Sequence, residues 1–124
     1  MKTILLIDND LGVLFWLGRI LDEAGFRAFP AKSCWDANQL LSEFDLRVDL
    51  FALNPTLAGA VGFVHALRRD LPNAKIVALL NEDGDGATVL PQADGIYRKP
   101  GSDELQASVE WVKLTLSLLG DSVD

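Results

Sequence analysis

The chain has 124 residues, 49% of them hydrophobic, and a formal net charge of −7. That size predicts one domain, 1–124, with a single sizeable core, since no Pro/Gly/Ser-rich stretch divides it. The acidic balance and the scatter of the 11 basic residues exclude nucleic acid as a direct partner, because phosphate backbones are bound by clustered Lys and Arg.

No apolar run of about 18 residues marks a membrane span, and Met1-Lys2 leads straight into a strand-like segment, so the expected setting is the cytoplasm, with no membrane contact. Ile4 to Ile7 reads as a short buried strand whose end delivers Asp8, Asn9 and Asp10. Gly12 to Ala24 then carries Val13, Leu17, Ile20, Leu21 and Ala24 at helical spacing, with Asp10 as the initiating residue and Gly25 as the terminating one. That face leaves Leu14, Phe15 and Trp16 over. They are predicted to form an exposed apolar contact surface, where Gly18 would let a partner backbone come close.

Phe26 to Pro30 makes a second strand, and the proline suits an edge because it has no amide hydrogen for a ladder. Ser33 caps a helix with Ala37, Leu40, Leu41 and Phe44 on one face and Asp36 three residues past the cap. The lone cysteine, Cys34, has no partner for an internal disulfide and no neighbouring cation to activate a thiolate, so beside Trp35 it reads as a packing residue. Leu50 to Leu53 is a third strand and delivers Asn54. A loop with Gly59 and Gly62 leads to a helix bearing Phe63, Ala66 and Leu67 that stops before Pro72; His65 is a solvated position on it. Ile76 to Leu80 is strand four.

Residues 81–94 contain Gly84, Gly86 and Pro91, which leave room for at most a short, weak helix. Gly95 to Arg98 is the fifth strand and delivers Lys99 and Pro100. The last helix is predicted from about Asp103 to Leu119, between Ser102 and Gly120. It has two apolar stripes. One, formed by Leu105, Val109, Val112, Leu116 and Leu119, is read as core; the other, Trp111, Leu114 and Leu118, is assigned to partner contacts.

Strands alternating with helices at these lengths predict an α/β, doubly wound parallel sheet covered on both faces, with functional groups in the crevice at the carboxyl ends of the strands. Asp8, Asn9, Asp10, Asn54, Lys99 and Pro100 all fall there. Acids after the first strand, an aspartate after the third and a Lys-Pro after the fifth make up the phosphorylation site of response-regulator receiver domains, which this chain resembles over nearly its whole length.

The resemblance implies a flavodoxin-like sheet of five strands in the order 2-1-3-4-5. It places Asp8 on the first acid and Asn9 on the second, which in the family binds magnesium. Asn54 falls on the phosphoacceptor, with Asp49 as the aspartate that opens the strand and Gly59 and Gly62 as the loop glycines. Leu80 falls on the hydroxyl that senses phosphate, and Lys99-Pro100 on a Lys-Pro whose peptide bond is typically cis.

The departures set the functional expectation. An amide offers no anionic oxygen to a phosphoryl group, so Asn54 is not expected to be phosphorylated, and Leu80 cannot hydrogen-bond to phosphate. Magnesium favours carboxylates, and two matched acids are amides, so no metal or other cofactor is expected; Asp8 and Asp10 are the weak candidates for one. Asp8 pairing with Lys99 would give an ion-paired rim in its place. Asp49 lies at the far end of its strand, about 3.3 Å further away per residue, which removes it as a substitute acceptor.

The expected function is therefore that of a phosphorylation-independent, non-enzymatic pseudo-receiver working by protein–protein contact in a two-component or phosphorelay system. The expected partners are a histidine kinase, a phosphotransfer protein or another regulator, and a homodimer is a further possibility. The alternative is a working receiver that accepts phosphoryl on an aspartate. A flavodoxin-like module is disfavoured, since Asp8 and Asp10 would repel a bound phosphate.

Overall fold

Ile4, Leu5, Leu6 and Ile7 are all fully buried, as are Leu50, Phe51 and Ala52, so side chains on both faces of these strands meet protein instead of water. The computed structural model describes residues 1–81, 93–99 and 104–120. In them, strands β1 (Thr3–Ile7), β2 (Arg27–Ala31), β3 (Leu50–Leu53), β4 (Lys75–Leu80) and β5 (Gly95–Arg98) alternate with helices α1 (Leu11–Glu23), α2 (Cys34–Glu43), α3 (Ala60–Asp70) and α4 (Glu104–Leu119). The strands form one sheet in the order β2-β1-β3-β4-β5, and every adjacent pair is parallel. Expected residues Pro100, Ser102 and Asp103, and the expected weak helix with Gly84, Gly86 and Pro91, lie outside the described residues.

Two apolar layers cover the sheet. Phe51, Ile76 and Ala78 point into one with Phe63, Val64 and Leu67 of α3 and Ala37 of α2, while Ile4, Leu6 and Val77 point into the other with α1 and α4. Local chemistry sets the helix ends as the sequence implies: Asp10 accepts a hydrogen bond from the Val13 amide, and Ser33 accepts one from the Asp36 amide. Gly25, just past α1, has φ 94, a conformation that glycine adopts without steric cost.

The inward faces of the two helices on the second layer differ from expectation. In α1 the buried residues are Leu14, Leu17 and Leu21, with Val13, Trp16 and Ile20 packed beside them, and Ala24 is exposed. Leu14 is therefore core and Trp16 half-buried, and of the three expected residues Phe15 alone stands exposed. Gly18 also turns toward the sheet, since a Cβ there would lie 3.7 Å from Leu6 Cδ1. In α4 the two stripes largely exchange roles. Trp111 is fully buried and Leu114 and Leu118 pack on the same layer, while Leu105, Val109 and Leu116 of the expected core stripe are exposed; of that stripe Leu119 does pack on the core and Val112 is half-buried.

Both α4 stripes have helical period, so spacing could not rank them. The sheet surface does. The Trp111 ring lies against Tyr97, with centroids 4.9 Å apart, and Gly95 leaves space on β5 that the Leu114 and Leu118 methyls approach. Phe44 also departs from the face assigned to it: it is 68% exposed because α2 ends there and the chain turns away through Asp45 at φ 46.

Candidate functional site

β1, β3 and β5 each run one residue past their last ladder pair before the chain leaves the sheet, and these residues form the rim. The Asp8 amide donates to the Ala31 carbonyl, that of Asn54 to Ile7, and that of Lys99 to Leu80, so all three backbones are fixed by the neighbouring strand. Their side chains then meet over the ends of β1, β3 and β5.

Asp8 is the centre of the group, with no exposed surface. Its Oδ1 accepts hydrogen bonds from the Asp10 amide at 3.0 Å and from Asn54 Nδ2 at 3.3 Å. Its Oδ2 lies 2.7 Å from Lys99 Nζ, a charge contact and not a directional hydrogen bond. A buried carboxylate is tolerated only when paired and hydrogen-bonded, and Asp8 has one cation and two N–H donors. The Lys99 ammonium also donates to Asn81 Oδ1 at 3.2 Å.

Asn54 is buried and held on both sides. Its Oδ1 accepts from the Thr56 amide at 2.9 Å and from the Thr56 hydroxyl at 2.7 Å, while its Nδ2 faces Asp8. Turning the amide over would set an oxygen against a carboxylate and an NH2 against an N–H, so the network selects one orientation. This arrangement uses the chemistry of an amide. A carboxylate at 54 could accept from Thr56 equally well, but it would present a second anion to Asp8.

The remaining expected residues fall as follows. Asn9 and Asp10 are exposed, and Asp10 is occupied in capping α1. Leu80 is buried at the end of β4 and adds no polar group to the rim. Asp49 lies at the other end of the sheet, where its Oδ2 accepts from the Thr3 amide. His65 is exposed on α3; Cys34 is buried, and burial pushes its thiol pKa up, away from a reactive thiolate. Thr56 and Asn81 were not singled out from sequence. The Asn-x-Thr spacing at 54–56 carried the signal for Thr56, a short polar side chain that bonds to backbone and hydroxyl two residues on, but nothing local marked Asn81.

The donor set does not suit magnesium. One carboxylate faces the rim and an ammonium already sits on it, the neighbouring Asn54 turns an NH2 toward it instead of an oxygen, and among the described residues no group of three His, Cys, Asp or Glu side chains could hold a metal ion. None of the helices among the described residues is long and apolar enough to cross a membrane.

The fold is that of response regulator receiver domains. A response regulator receiver protein from Burkholderia phymatum superposes with a TM-score of 0.79 at 22% identity, over 98% of each chain. The chemotaxis response regulator CheY4 of Vibrio cholerae gives 0.75 at 19% identity, over 96% of this chain and 99% of that one. The response regulator TrrA of Thermotoga maritima, solved with Mg2+ and BeF, gives 0.68 at 25% identity, over 89% and 97%. No protein-family model and no curated protein matches the sequence.

Proposed function

We propose that this chain is a receiver-like signalling domain of a two-component or phosphorelay system that works through protein contacts in the cytoplasm, without phosphorylation at residue 54. One observation carries the reading: the Asn54 amide bridges Asp8 and Thr56 while Lys99 sits on the other oxygen of Asp8. In that arrangement the position that would have to attack phosphorus is neutral, and with amides at both Asn9 and Asn54 a single rim carboxylate, already paired with Lys99, is left for an assisting cation. The domain is then held in one state, and its exposed surfaces are what a kinase, a phosphotransfer protein or another regulator can read.

Incubation with acetyl phosphate and Mg2+ followed by intact mass measurement tests this. The expected spectrum is that of the unmodified chain. A stable gain of one phosphoryl group that disappears in Asp8→Asn or Asp10→Asn would replace the reading with that of a working receiver using a displaced acceptor.

A further inference from the structure

β2 is an edge strand, and its outer side is unusual in both backbone and side chains. The Arg27 amide donates to Lys2 and the Ala31 carbonyl accepts from Asp8, so alternation along the strand turns the backbones of Ala28 and Pro30 outward. Pro30 has no N–H. A strand laid against this edge would find one outward amide, that of Ala28, and could not build a ladder.

Beside this edge lie two open grooves. The first, of about 360 Å³, runs between α1 and β2 past Phe15, Gly18 and Ala28; the second, of about 410 Å³, continues past Leu11 toward Leu40 and Phe44, and Leu14 and Pro30 line both. Leu11, Phe15 and Phe44 are 56%, 75% and 68% exposed, which leaves three large apolar side chains standing beside the grooves. From Leu11 to Asp22 the grooves follow α1 for about 16 Å at ~1.5 Å per residue, the length of three turns of a second helix. The charged residues lining them are Asp22, Asp36 and Glu43 against Arg19 and Lys32.

We propose that these two grooves together receive an amphipathic helix with a basic polar face, carried by a partner protein. The missing edge amide disfavours a strand, and the apolar side chains suit the i, i+4 anchors of a helix. A second copy of this chain would bring another −7 charge and the same lining of three acids against two bases, whereas a basic helix complements the overall charge and the acidic excess of the grooves. The face is distinct from the Val13 and Trp16 side of α1, which packs against the core layer that α1 shares with α4. This inference rests on the reading that surface contacts carry the function, but it does not depend on the chemistry at residue 54.

Titration of the 15N-labelled chain with model peptides tests it without any phosphodonor, so the result is separate from the acetyl phosphate experiment. The probe is a Leu/Lys peptide of about 14 residues with leucines at helical spacing. Its controls are the same composition in strict alternation, which favours a strand, and a helical Leu/Glu version. Saturable shifts are expected at Leu11, Phe15, Gly18, Ala28 and Phe44, with affinity roughly tenfold lower for Phe15→Ser and for the Leu/Glu peptide, and unchanged for Leu105→Ser on the exposed stripe of α4, outside the grooves. Circular dichroism confirms that the substituted chains remain folded. Shifts spread over the whole acidic surface, equal binding of the alternating or Leu/Glu peptide, or equal loss in Leu105→Ser would overturn the proposal. So would broadening of the same amides with protein concentration alone, which would make a second copy the occupant.

Discussion

Lys99 Nζ lies 2.7 Å from Oδ2 of Asp8, and the two side chains are 10% and 0% exposed, so the charge at the carboxyl end of the sheet is balanced inside the protein. Removing either partner alone leaves the other buried and unpaired.

Lys99→Met is therefore expected to destabilise the fold by about 3–5 kcal/mol, the usual cost of breaking a buried pair from one side. Asp8→Asn combined with Lys99→Met should cost clearly less than the sum of the two single changes, because the pair leaves together. Urea denaturation of the four proteins measures this. Additive losses would mean that the contact contributes nothing specific.

Asn54→Asp replaces the Nδ2 that donates to Asp8 at 3.3 Å with a carboxylate oxygen. Two adjacent buried carboxylates repel, so the variant is expected to melt below the parent in EDTA. It should also gain a Mg2+-dependent rise in Tm, since two facing carboxylates now suit a hard cation; at 100 times the dissociation constant the stabilisation is about 2.7 kcal/mol. The parent chain should show no such rise. A variant whose Tm ignores Mg2+ would place the obstacle elsewhere, with Lys99 the first suspect.

On β5, a Cβ added to Gly95 would lie 3.1 Å from Leu114 Cδ1 and 3.3 Å from Leu118 Cδ1. Gly95→Ala should cost about 1–3 kcal/mol by overpacking, and Trp111→Ala about 3–5 kcal/mol through the cavity it leaves. Leu105→Ser, on the exposed stripe of α4, should change stability by less than about 0.5 kcal/mol. Thermal melts that ranked Leu105 above Trp111 would restore the opposite assignment of that helix.

Stability should fall at both ends of the pH scale, for different reasons. Tyr97 donates its hydroxyl to the Ala107 carbonyl, and burial, with the Glu110 charge adding to it, pushes its pKa up to about 12. The unfolded chain loses this proton first, so stability is full below about pH 10 and declines as the pH rises from there toward 12. Tyr97→Phe should flatten that limb. At the acid end, burial raises the Asp94 pKa but is outweighed by hydrogen bonds from Arg68 and the Ile76 amide and by the charges of Arg68 and Lys75, and the net shift is downward. Its contribution is present above the ordinary aspartate range and is lost as the pH falls through the depressed value. Asp94→Asn should make unfolding less dependent on pH there.

The strand runs, the caps at Asp10 and Ser33 and the order of elements were legible in the sequence because each depends on neighbours within a few residues. The rim was legible too, as three strand ends carrying polar residues. Less was visible of how those residues divide their partners. That Asn54 would point its oxygen at the nearby Thr56 and its nitrogen at Asp8 depends on a carboxylate that the sheet brings to it from 46 positions away.

Side-chain chemistry and short-range pattern thus determined the fold class and the absence of a carboxylate at residue 54, since both are properties of residue type and spacing. The tertiary structure alone decided which stripe of α4 is core and that Phe15 stands exposed while Leu14 does not. A helix of period 3.6 carries more apolar positions than one face can bury, and only the shape of the surface it lands on, here Gly95 and Tyr97, selects among them.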